Sequence, residues 1–210
     1  NELYFAKDDQ LGKLESLQYA YNNNFSEILD TKQENIFIPL SEALKPGESI
    51  SINLKYQIKL PDARFTGYGI NTNHILLKYF FLVPDTFENE EQTNSFYRDT
   101  EETANAGSFW KVNFEVPKNW NIYSNLIQNN DSGFEGTSVN DPEFQISKEI
   151  YSDFFLNIDG QSVKVSLGYQ ATAYQLQILN SVLTNHLKFI KTTTGNLPEK
   201  LFITEKFFKK

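Results

Sequence analysis

The stretch from Phe154 to Ile203 constrains the fold of this chain more than any other. Phe154, Phe155, Leu156 and Ile158 precede Asp159-Gly160, and Val163, Val165 and Leu167 come after it, with Lys164 and Ser166 between them. Two such runs around Asp-Gly predict a β-hairpin, because a type I′ turn needs positive φ at both central residues. Thr172 stands three positions before Gln175, a capping-box spacing that satisfies otherwise orphaned amides at a helix start. Ala173, Leu176, Leu179, Leu183, Leu187 and Ile190 then recur at three and four, which places one apolar stripe on a helix over about Thr172 to Thr194. Gly195 suits the left-handed position past the last turn, and Pro198 prevents continuation. Leu201-Phe202-Ile203 reads as the next strand. Hairpin, crossover helix and strand are how an α/β domain begins, and the sequence ends at Lys210, so the expectation is an incomplete domain within a larger protein.

The residues before this stretch alternate like antiparallel sheet. Ile50, Ile52, Leu54, Tyr56 and Ile58 alternate with Ser51, Asn53, Lys55 and Gln57, which predicts a long strand with one buried and one wet face. Trp110, Val112, Phe114 and Val116 repeat the pattern. Leu17, Tyr19 and Tyr21, the Ile36-Phe37-Ile38 run and Ile75 to Leu82 are further strand candidates. Leu44-Lys45-Pro46-Gly47-Glu48 reads as a turn feeding the long strand. Asp85 to Gly107, which carries several carboxylates, and Gln128 to Pro142, rich in Asn, Asp, Gly and Ser, read as solvated loops. The fold class expected is mainly β: an antiparallel β-sandwich or saddle over residues 1–152, then a small, incomplete hairpin–helix–strand α/β segment over 153–210.

Composition removes several classes of function. Asp and Glu total 27 against 19 Lys and Arg, a net charge of −8, which argues against nucleic acid as a partner. There is no cysteine, so disulfides, thiolate metal sites and cysteine nucleophiles are excluded. The longest apolar run, Ile75 to Val83, is interrupted by Lys78 and is too short to span a bilayer. The chain contains no methionine, so it reads as a processed or excised piece.

Motifs for catalysis are missing. Only His74 and His186 are present, and no H-E-x-x-H pairs two imidazoles four apart on a helix. Both histidines read as structural. Neither a G-x-S-x-G elbow nor a phosphate-binding glycine loop occurs. Gly67-Tyr68-Gly69 reads as a bend between strands. The acidic residues from Glu88 to Glu102 lack the ordered spacing of a calcium loop, and Tyr79-Phe80-Phe81 reads as core more readily than as a sugar platform. Asn24-Phe25-Ser26 and Asn130-Asp131-Ser132 match the glycosylation triplet, a weak pattern. No catalytic, cofactor-binding or metal-ligating residue is assigned, and no activity is expected of this chain alone.

In their order, several short segments resemble one family. Leu44-x-Pro46-Gly47-Glu48 with the strand ending at Tyr56 is similar to the "L-x-x-G-E … Y" strand in the amino-terminal domain of gluzincin zinc aminopeptidases, the membrane alanyl aminopeptidases among them. Phe65-Thr66-Gly67-Tyr68-Gly69, Tyr79 to Pro84, and Trp110 to Asn125 with Pro117 and Ser124-Asn125 resemble the next segments of that domain. The last helix with Gly195, Pro198 and Lys200 resembles the opening of the thermolysin-like catalytic domain. The resemblance implies a non-catalytic amino-terminal portion of an aminopeptidase-like metallopeptidase, which scaffolds the catalytic domain and the substrate entrance. Its partner would be the rest of the parent chain, with possible contact to a peptide substrate, in the cell envelope or periplasm. Zinc is implied only for the remainder of the parent, because the family's metal ligands lie beyond this region. The alternative from the residues alone is a stand-alone cell-envelope β-sandwich that binds glycan or protein.

Overall fold

A computed structural model describes residues 6–21, 26–28, 36–40, 42–84, 108–130, 132–138 and 141–204. In chain order the elements are β1 (Lys13–Ala20), β2 (Ser26–Glu27), β3 (Asn53–Lys59), the one-turn helix α1 (Ala63–Thr66), β4 (Gly69–Asn71), β5 (His74–Leu77) and β6 (Ser108–Asn113). Next come β7 (Asn121–Ser124), β8 (Ile127–Gln128), β9 (Gly133–Ser138), β10 (Phe144–Ser147), β11 (Asp153–Ile158), β12 (Gln161–Leu167), α2 (Ala173–Thr194) and β13 (Lys200–Ile203). The fold is mainly β. The strands form four sheets, ordered β2-β1-β3, β4-β5-β10-β7, β6-β9-β8 and β11-β12-β13. Every strand pairing is antiparallel except β12 with β13.

The last sheet forms as its residues dictate. Asp159 and Gly160 take φ of 48° and 82°, and the Gly160 amide donates to Asn157 Oδ1 at 3.0 Å, which closes the turn. Thr172 and Gln175 form the capping box, and Gly195 ends α2 at φ 78° with its amide on the Lys191 carbonyl. The chain then returns parallel to β12, with Lys164 beside Lys200 and Leu167 beside Ile203. Strand side chains alternate faces. Val163, Val165 and Leu167 are buried in an aliphatic cluster with Leu156, Ile158, Leu187 and Leu197, and Leu176, Leu179 and Leu183 pack against it. Of the predicted stripe only Leu187 is fully buried, and Ile190 is exposed. A second apolar line, Tyr174, Ile178, Val182 and Phe189, lies exposed on α2.

The second core is aromatic. Phe134 and Phe144 are fully buried with Ile122, Leu126 and Ile146, and Phe81, Trp110 and Phe114 pack against them. The Phe144 ring centre lies 4.8 Å from Phe114, 5.6 Å from Phe134 and 5.9 Å from Phe81, each near edge-to-face.

Several expectations need correction. Gln128 to Pro142 is not a solvated loop: it contains β9, which pairs with both β6 and β8 and buries Phe134. Ile36-Phe37-Ile38 forms no strand, and Phe37 is exposed. The long strand starts at Asn53, leaving Ile50 and Ile52 exposed before it. The strand expected over Ile75 to Leu82 ends at Leu77, and Tyr79 sits at φ 63°, a left-handed conformation that no strand can contain. The alternation from Trp110 leaves the ladder at Asn113, after which the Phe114 amide still donates to Ser132 O at 3.0 Å. Gly67-Tyr68-Gly69 links α1 to β4 rather than two strands, with Gly67 as the helix cap. In β1 the register shifts between Leu14 and Ser16, so the bulge at Glu15 breaks simple alternation. The Leu44 to Glu48 turn forms, closed by the Glu48 amide on Lys45 O at 3.0 Å. Asp85 to Gly107, Asn24-Phe25 and Asp131 lie outside the described residues.

Candidate functional site: a lysine cleft at the seam between two cores

With one face of the β11-β12-β13 sheet against α2, alternation turns Lys164, Ser166, Lys200 and Phe202 to the other face. That face meets the aromatic half of the molecule through polar contacts. Gln145 Nε2 donates to Gly168 O at 2.5 Å, Lys200 Nζ to Leu126 O at 3.2 Å, and Thr204 Oγ1 to Glu143 Oε1 at 2.5 Å. Gly168 leaves room for the Gln145 amide, since a Cβ there would press on Gln145 Oε1 and force that side chain to shift.

Beside this seam opens a cleft of about 540 Å3, lined by Ile127, Gln128, Asn129, Asn130, Lys164, Glu199 and Lys200. The parallel register sets Lys164 and Lys200 abreast, and the β8–β9 turn supplies the opposite wall. That turn is held by the Asn129 amide on Gly133 O and the Ser132 amide on Asn130 Oδ1, both at 3.0 Å. The two ammonium groups are treated differently. Lys164 Nζ lies 2.6 Å from Asp153 Oδ2, a close ion pair. Lys200 has a carbonyl dipole and, among the described residues, no carboxylate partner at such range. Burial, then the neighbouring Lys164 charge, lower the Lys200 pKa to about 8, with Asp153 opposing. Lys200 is therefore an amine that gives up its proton more readily than an ordinary lysine.

A second polar cluster is sealed. His74 faces Ser147 across the β5–β10 ladder, and both reach Tyr151. Tyr151 Oη lies 2.5 Å from His74 Nε2 and 3.1 Å from Ser147 Oγ, while Glu149 Oε2 is 3.7 Å from the imidazole. A serine and a histidine gathered on one phenol, with a glutamate beside the imidazole, invite an acid–base reading. Ser147 is 0% exposed and Tyr151 6%, which leaves no room for a substrate at either hydroxyl. Burial holds the Tyr151 phenol above its ordinary pKa, with the Ser147 hydrogen bond opposing, so it stays neutral. The cluster is a strut that ties β10 to the segment leading into β11.

His186 sits on the exposed side of α2, in a different element from His74. Among the described residues no three His, Asp or Glu side chains converge as metal ligands, and the residues present do not fit a zinc centre. Lys164 and Lys200 were not singled out as site residues by sequence reasoning. A lysine between Val163 and Val165, in the strand before a crossover helix, is the signal that points to one of them: such strands are covered on both faces. No helix among the described residues is long and apolar enough to cross a membrane. No protein-family model matches this chain, and no curated protein matches it.

Proposed function

We propose that this chain is the non-catalytic amino-terminal portion of an aminopeptidase-like zinc metallopeptidase, scaffolding a catalytic domain and bordering its substrate entrance. The observation that carries the reading is the order of architectures. Antiparallel sheets give way to a hairpin, a 22-residue helix and a parallel strand, as expected where a β-domain leads into an α/β catalytic domain. The outer line of α2 supports it. Tyr174 and Phe189 are 72% and 68% exposed, and a helix apolar on two faces suits a position between two layers. Residues 1–152 would then be the scaffold and 153–210 the opening of the catalytic domain. Metal and catalytic groups would come from the remainder of the parent.

The test is to express the reading frame through and beyond Lys210. The expected result is an H-E-x-x-H downstream, one tightly held zinc per chain and release of amino-terminal residues from peptides. A stop codon directly after Lys210 would remove the reading. The stand-alone binding module would then be favoured, with the open lysine cleft as the place to look for its ligand.

A further inference from the structure

We propose that Lys200 is a nucleophilic amine, which condenses reversibly with small aldehydes entering the cleft between β13 and the Gln128–Asn130 turn. This inference stands independently of the aminopeptidase reading. Three observations support it. The cleft, at about 540 Å3, admits a small molecule to the Lys200 side chain. The parallel register fixes a second ammonium, Lys164, beside it. The Lys200 amine donates to Leu126 O at 3.2 Å, a bond that one N–H can keep while the lone pair is released by loss of another proton.

Desolvation beside a second cation is a general means of activating a lysine. Among the described residues, the charged groups around Lys200 are Lys164 on β12, Asp153 on β11, and Glu199 just before β13. Asp153 is occupied by Lys164, at 2.6 Å. Glu199 lines the same cleft and is exposed.

The step balances without a further reagent. The neutral Nζ lone pair attacks the aldehyde carbon, and the carbonyl π pair moves to oxygen, which is protonated. Nitrogen then loses a proton; the hydroxyl takes one up from solvent and leaves as water while the nitrogen lone pair forms the C=N bond, and the iminium proton can return to solvent. Hydrolysis reverses it.

With a pKa of about 8 against the ordinary lysine value, Lys200 holds on the order of a hundredfold more neutral amine at pH 7.5. Its weaker basicity takes back part of that gain, leaving an advantage of about tenfold in rate.

The test treats the whole chain at pH 7.5 with limiting propionaldehyde and cyanoborohydride, then maps the alkylated lysines by peptide mass spectrometry. Lys200 is expected to be labelled about tenfold faster than the typical lysine among the 17 in the chain. In Lys164→Met the pH midpoint of Lys200 labelling should move upward, with the other lysines unchanged. Labelling spread in proportion to exposure would overturn the proposal. A parallel arm uses glyoxylate: if glyoxylate labels Lys200 and propionaldehyde does not, attraction of an anion rather than the amine's nucleophilicity is at work, and the proposal falls.

Discussion

The two cores of this molecule are built by different means. The aliphatic one takes Val163, Val165 and Leu167 from one strand, Leu156 and Ile158 from its hairpin partner, and Leu187 from the covering helix. Each contributor sits at the period of its own element. The aromatic one gathers Phe134 and Phe144 from strands, while Phe81 and Phe114 come from irregular backbone beyond strand ends. Large rings fill space by shape, and an edge-to-face partner can arrive from any direction. A core made of periodic elements is secured by many interchangeable methyl groups, whereas a core made of rings depends on a few irreplaceable ones.

The largest expected effect separates the two directly. Phe144→Ala removes the ring that Phe81, Phe114 and Phe134 all meet, and should cost about 3–5 kcal/mol. Urea denaturation would measure it. A loss no larger than that of Leu187→Ala in the same series would show that the aromatic core is as redundant as the aliphatic one.

In the other core, Leu187→Ala should cost about 2–4 kcal/mol, because that side chain is only 1% exposed. Leu183→Ala, half-buried on the same stripe, should cost visibly less in the same denaturation series. Equal losses at both positions would mean that α2 sits deeper against its sheet than the exposures imply.

The smallest effect concerns the seam between the cores. The pKa of Lys200 falls from 10.5 to about 8 on folding. Between those values the unfolded chain binds more proton, so stability contributed by this group rises as pH rises through the window. Below pH 8 both states are protonated and the penalty is constant; above 10.5 it is gone. Lys200→Met should therefore stabilise the chain most below pH 8, with its advantage shrinking towards pH 10.5. Solvent screening of this partly exposed amine keeps the difference modest. Parallel thermal melts of both proteins across that range would check it, and a constant difference would show that Lys200 is no less basic folded than unfolded.

Legibility in the sequence divides along the same line. The Asp159-Gly160 turn, the Thr172 cap, the Gly195 end of α2 and the returning Leu201-Phe202-Ile203 strand are each set by residues a few positions apart, and all form. So does the turn at Pro46-Gly47. Strand β9 was not legible, because Gly133, Gly136, Thr137 and Ser138 have the composition of a loop, and only Phe134 marks a buried face. Its strand character comes from β6 and β8 on either side. The lysine cleft was hidden for a related reason. The carbonyl that holds Lys200 belongs to Leu126, 74 residues earlier, and local spacing carries no trace of it.

The register that joins Leu77 to Phe144 has a consequence for synthesis. The two residues are 67 positions apart (144 − 77), so a chain made at ordinary rates exposes β5 for roughly 3–13 s before its partner exists. During that interval Ile75, Leu76 and Leu77 have only the short β4 beside them, and their other edge lacks β10. The β11–β12 hairpin has no such wait, since its strands emerge two residues apart and close in about 1–10 μs. During synthesis, the segment from β5 to β10 is thus the part in need of protection, and the β11–β12 hairpin is the part that can fold as it appears.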